Sequence, residues 1–171
     1  MKKQVLLTLD ASTKSTGWAI FENTQLTNYG VITATSPNLY KRIDKMITEI
    51  DKLVEQYQPN NIVIEEVLPA DVRNNNNVFK ALIYLQGFIC HTLDKYKIIP
   101  TFIVASHWRR LCGIKTGSSI KRESLKPKDI AFVKKEYGID VNDDIADAIC
   151  IGYATLHEHD NKEDFDGFEF K

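Results

Sequence analysis

Residues 5–22, VLLTLDASTKSTGWAIFE, decide the fold: an apolar run closed by Asp10, a polar connection STKST, and a second apolar run. Short β-rich runs on either side of a polar turn predict an antiparallel hairpin. Asp10 then stands at a strand end, where a carboxylate is presented for chemistry or for capping a turn. With a further polar break at NTQ, the extended segments Gln4–Asp10, Gly17–Asn23 and Leu26–Ala34 form an opening β-meander.

Beyond the meander, Leu39, Ile43, Met46, Ile47, Ile50, Leu53 and Val54 recur at helical spacing between Asn38 and Tyr57, and Pro59 follows. This is an amphipathic surface helix. NIVIE, residues 61–65, lies between that helix and another spanning about Asn77–Tyr96, so it is expected to be a buried parallel strand. IIPTFIV, residues 98–104, supplies a fifth strand. SHWRRLCG suits a short helix, Ile114–Leu125 a loop, KPKDIAFVKKEYG a helix stopped by Gly138, and DDIADAICIGYATLHEH a last helix. The asparagines at 74–77 suit a turn and a helix N-cap. The order βββαβαβ followed by helices is the layout of the ribonuclease H-like α/β fold, a mixed five-stranded sheet with helices on both faces. Residues 1–160 are expected to form one domain, and the acidic residues 161–171, which include three Phe, a tail.

Two other segments deliver acids from apolar elements as the first strand does: Glu65 ends NIVIE, and Asp144 and Asp147 share one face of the last helix. Taken singly, each acid has a plain structural reading, as a turn cap, a sheet-edge carboxylate or a helix-start charge. Together in these slots they match a metal-dependent nuclease, because oxygen-seeking divalent ions sit on a few carboxylates plus water and phosphate. Two such ions about 3.5 to 4 Å apart can activate a water and stabilise the leaving oxygen of a phosphodiester.

The formal net charge of −1 conceals a segregated distribution. Arg109–Lys135 holds nine Lys or Arg against two acids, a local patch able to meet phosphates. Cys90, Cys112 and Cys150 have neither disulfide nor zinc spacing and are expected to be reduced core residues. No run approaches the length of a membrane span and no signal-peptide pattern opens the chain, so a soluble, cytoplasmic protein is expected.

LTLDASTKSTGWAIFE, IVIEEV and DDIADA, with the TGSSIK loop, resemble the RuvC family of Holliday-junction resolvases, particularly its short phage-type members. The resemblance spans nearly the whole chain. It implies a magnesium-dependent endonuclease, with manganese able to substitute, whose metal ligands and catalytic residues are Asp10, Glu65, Asp144 and Asp147. It implies two ions per site, a homodimer that nicks opposing strands of a four-way junction, and work in the cytoplasm of a host cell. It leaves Glu66 and Asp143 open. Lys121 falls in the family's lysine-bearing loop as a phosphate contact, with Arg110, Lys115 and Lys128 as further DNA-binding candidates. The helix VFKALIYLQGFICHTL, residues 78–93, is apolar on more faces than one sheet contact requires, which fits a dimer interface or a buried core helix. Where family members commonly carry a base-stacking aromatic three residues after the motif Glu, this chain has Leu68, so recognition by branched shape and phosphate charge is expected over sequence preference. Trp108 is expected to cap the core, and His91 to lie in the core or an interface. Two rivals remain: a non-catalytic branched-DNA-binding module, and an actin-like or sugar-kinase ATPase, which shares an Asp-x-Ser/Thr hairpin but needs a second such domain.

Overall fold

In the computed structural model, which describes residues 3–69, 75–117, 120 and 122–158, the meander consists of β1 (Val5–Asp10), β2 (Ser15–Glu22) and β3 (Gln25–Thr33). Helix α1 (Leu39–Tyr57), β4 (Asn61–Glu65), α2 (Asn76–Asp94) and β5 (Thr101–Ile103) complete the sheet. Its strand order is β3-β2-β1-β4-β5. β1 is central, antiparallel to β2 and parallel to β4, so the sheet is mixed as expected.

VLLTL reads as a continuous apolar run because both faces of β1 are covered. Leu7 and Leu9 join Ile20, Ile62 and Ile64 under α1 and α2, whereas Leu6 joins Ala19, Phe21 and Val63 under the C-terminal helices. Those helices are α3 (Ala105–Leu111), α4 (Lys126–Tyr137) and α5 (Asp143–His157), with a 3₁₀ turn at Arg122–Ser124. Helix starts follow their caps: Asn38, Asn75 and Asn142 each accept a hydrogen bond from a backbone N–H three residues on. Gly138, in the left-handed region at φ 73°, ends α4.

The fifth strand is shorter than the run IIPTFIV suggested. Pro100 has no N–H to give to a ladder, Ile99 is 93% exposed, and pairing with β4 is confined to Thr101–Ile103. His91 is exposed on α2 of the single chain and so lies outside its core, the interface alternative being untouched. Cys112 and Cys150 are buried and free as expected, while free Cys90 is only half-buried. No helix among the described residues is long and apolar enough to cross a membrane. Residues 161–171, the expected tail, lie outside the described residues.

Candidate active site

The end of β1 and the end of β4 are neighbours, since Leu9 pairs with Ile64 in the parallel ladder. Asp10 and Glu65, one residue further along each strand, therefore leave the sheet at the same edge. Helix α5 brings the other two acids to that edge by lying unusually close to β1 and β2. Thr8 Oγ1 donates to the Ala148 carbonyl at 2.7 Å, and Gly17, the register partner of Asp10, admits the backbone of Asp144. A Cβ at Gly17 would come within 1.8 Å of the Asp144 carbonyl oxygen. Further along α5, Gly152 makes a similar allowance for the Phe21 ring.

Asp10, Glu65, Asp144 and Asp147 consequently line one cleft, together with Ser12, Glu66 and Lys126. All four sequence candidates meet there. Glu65 is 9% exposed and Asp147 5%, while Asp10 and Asp144 are half-buried. Burial, followed by the nearby carboxylates of Asp10, Asp129 and Glu65, pushes the Asp147 carboxyl up to about 10 against the opposing effect of Arg109. Its Oδ1 is buried and has no hydrogen-bond partner.

The residues present fit a divalent cation. The donor set is carboxylate oxygen throughout, and an orphaned, desolvated oxygen among like charges is offset by bound positive charge. Among the described residues no group of three or more His, Cys, Asp or Glu forms a ready-made metal cage. An open cleft suits ions that keep water and share phosphate oxygens.

Several supporting residues escaped the sequence reading. Trp108, fully buried as a core residue should be, also donates its Nε1–H to Glu65 Oε2 at 2.9 Å. Arg109, counted above with the phosphate-binding charges, is 4% exposed and points inward. Its guanidinium grips Asp129 through Nε and Nη2, the latter at 2.8 Å, and reaches Asp147 Oδ2 at 3.5 Å. Ser15 Oγ donates to Asp144 Oδ2. The available signal was Asp129, an acid within an otherwise basic and apolar segment, which calls for a buried cation.

Of the DNA-binding candidates, Arg110, Lys115 and Lys128 are exposed but do not line the cleft. Lys121 lies outside the described residues. Lys126, not singled out from sequence, does line the cleft, and its ammonium is paired with Asp143. That contact raises the Lys126 pKa and lowers that of Asp143. Glu66 is therefore a cleft residue, and Asp143 is the partner of Lys126.

Comparison with known proteins agrees with this fold. The chain is 27% identical over 158 residues to a crossover junction endodeoxyribonuclease RuvC of Rickettsia africae, covering 89% of this chain and 96% of that one. Its fold matches Thermus thermophilus RuvC, solved in complex with a Holliday junction substrate, at a TM-score of 0.71 with 12% identity, covering 92% of this chain and 96% of the other. The yeast mitochondrial Holliday junction resolvase matches at 0.54 with 13% identity, over 90% of this chain and 80% of that one. The family model for crossover junction endodeoxyribonuclease RuvC matches residues 6–107, which hold the meander, Asp10, Glu65 and the Trp108-bearing helix up to its third residue. With that match running over more than half its length, the chain belongs to the RuvC family.

Proposed function

We propose that this chain is a structure-selective endodeoxyribonuclease that resolves Holliday junctions and related branched DNA by metal-assisted phosphodiester hydrolysis. The observation that carries the reading is the meeting of Asp10, Glu65, Asp144 and Asp147, from three separate segments, in one cleft of a RuvC-family chain. Nucleases of this family depend on divalent metal. Two magnesium ions, or manganese in their place, would be held by these four carboxylates. When bound, such ions supply Lewis acidity to the attacking water and to the departing oxygen.

The chain's own residues do the rest. Asp10 and Glu65 project from the ends of paired central strands, so their separation is fixed by the sheet ladder. Asp144 and Asp147 sit one helical turn apart on α5 and line the same cleft. Lys126, at the cleft, offers an ammonium to a scissile or adjacent phosphate, and Asp143 holds it in place. The exposed Arg110, Lys115 and Lys128, with Lys121, would neutralise phosphates of the junction arms. Contacts of this kind orient the backbone and carry no sequence information.

Two opposed nicks require two active sites, and α2 supports a homodimer. Val78, Ile83, Tyr84 and Phe88 are 40–47% exposed on that helix, and a Cβ at Gly87 would meet nothing within 4 Å. An apolar face left open on a helix is normally covered by a partner. We place this work in the cytoplasm, where junction DNA is available to such an enzyme.

The deciding experiment is cleavage of an end-labelled four-way junction, with a linear duplex of the same sequence as comparison. Magnesium-dependent nicking of the junction is expected, abolished by EDTA and in Asp10→Asn and Asp147→Asn while junction binding persists. A wild-type protein that binds the junction but never nicks it in magnesium or manganese would instead be a non-catalytic binding module.

A further inference from the structure

Glu65, Asp147 and Asp144 of the cleft each have one oxygen held by a donor that does not itself line the cleft. Trp108 Nε1 donates to Glu65 Oε2 at 2.9 Å, Arg109 Nη2 reaches Asp147 Oδ2 at 3.5 Å, and Ser15 Oγ donates to Asp144 Oδ2. Two of these donors are consecutive residues of α3, yet they reach acids on β4 and α5. They are themselves locked. The Arg109 guanidinium stacks 4.1 Å over the Trp108 ring and is gripped by Asp129 of α4, which is fully buried.

The donor types are informative. Indole N–H and guanidinium donate and cannot accept, so neither group can take a cation for itself or compete with the carboxylate as a ligand. An arginine beside a cation site ordinarily repels its occupant. Here Asp129 offsets that charge, leaving Arg109 to orient Asp147. Each donor occupies one carboxylate oxygen, and at Asp147 the oxygen left over is the buried, unpartnered Oδ1.

We propose that Ser15, Trp108 and Arg109 are positioning residues: they select which oxygen of Asp144, Glu65 and Asp147 is turned to the cleft, and so set its affinity for divalent cations. The inference rests on the metal-binding role proposed for these acids. Partners behind metal ligands typically alter affinity or activity by about 10- to 100-fold when removed.

The test uses the full chain with Trp108→Phe, Ser15→Ala and Ser15→Thr. Manganese alone is titrated without DNA and its free fraction read by electron paramagnetic resonance. Junction binding in EDTA, thermal melting and the magnesium dependence of nicking are measured alongside. Trp108→Phe and Ser15→Ala are expected to bind manganese about 10- to 100-fold more weakly and to need correspondingly more magnesium. Ser15→Thr, which keeps the hydroxyl, recovers the wild-type midpoint, and EDTA-phase junction binding is unchanged in all three. Unaltered manganese affinity and magnesium midpoint in both deletion variants overturns the inference while leaving the metal site standing. Failure of the wild type to bind manganese overturns the metal site and the inference with it. Ser15 is half-buried at a strand end, so its variants decide the matter if Trp108→Phe does not fold.

Discussion

Gly17→Ala tests whether the site depends on the close seating of α5 against the hairpin. The added Cβ would lie 1.8 Å from the Asp144 carbonyl oxygen and 2.4 Å from its carbonyl carbon, against an ordinary contact distance of at least 3.4 Å. The shortfall is about 1.6 Å, and the obstacle is helix backbone, which cannot rotate aside as a side chain can. The start of α5 must therefore lift, carrying Asp144 away from Asp10, whose register partner is Gly17. Overpacking of this kind costs about 1–3 kcal/mol. At roughly 2–4 °C per kcal/mol for a chain of this size, the melting temperature falls by about 2–12 °C. The catalytic loss is larger, because a displacement of about 1 Å in a reacting constellation costs on the order of 10²-fold in rate. Gly30→Ala is the control: its Cβ meets the Trp18 ring at 2.7 Å, and Trp18 packs with the core beneath α1 and α2, away from α5. It should lower the melting temperature while leaving nicking within about threefold of wild type, under 1 kcal/mol in barrier. The measurements are thermal melting and single-turnover nicking at saturating magnesium. A folded Gly17→Ala protein that cuts within about threefold of the wild type would refute the reasoning.

Three further outcomes follow from the same geometry. Asp129→Ala strands the Arg109 guanidinium, 4% exposed, without its carboxylate; a loss of about 3–5 kcal/mol is expected from urea unfolding, and a loss below about 1 kcal/mol would show that the buried pair is not structural. Phe88→Glu, at a residue 47% exposed in the single chain, should shift sedimentation from dimer to monomer and convert paired cleavage of a cruciform plasmid into single nicks, whereas an unchanged dimer places the interface elsewhere. With Leu68, 37% exposed, at the position where RuvC proteins commonly carry a stacking aromatic, cleavage rates across junctions of varied core sequence should stay within about tenfold, roughly 1.4 kcal/mol in barrier, and strong dependence on one tetranucleotide would contradict this.

What could be read from the chain beforehand divides along a physical line. Asp10, Glu65, Asp144 and Asp147 were visible because each interrupts or ends an apolar element of recognisable period, and period is local information. The helix stripe from Leu39 to Val54 was visible for the same reason, and the asparagine run at 74–77 offered the cap that Asn75 supplies. The fifth strand was overextended because apolar content at Ile98 and Ile99 outweighed the missing N–H of Pro100 in the reading, and the ladder obeys the hydrogen bonds.

The hidden features are those whose meaning lies in a partner distant along the chain. Nothing near Gly17 announces Asp144, and nothing near Trp108 announces Glu65. Arg109 is the sharpest instance: in sequence it adds to a basic stretch, yet in the fold it is spent inside on Asp129 and Asp147. Lys134 is paired at the surface with Asp140. The phosphate-binding charge of this segment is thus smaller than its composition suggests, since Arg109 lies beneath the acids. A cleft that gathers four carboxylates faces two electrostatic demands, repulsion among them and disorder in which oxygen each presents. The buried donors Trp108 and Arg109 oppose both, which is why α3 carries a cation, Arg109, on its inner face as well as the exposed Arg110.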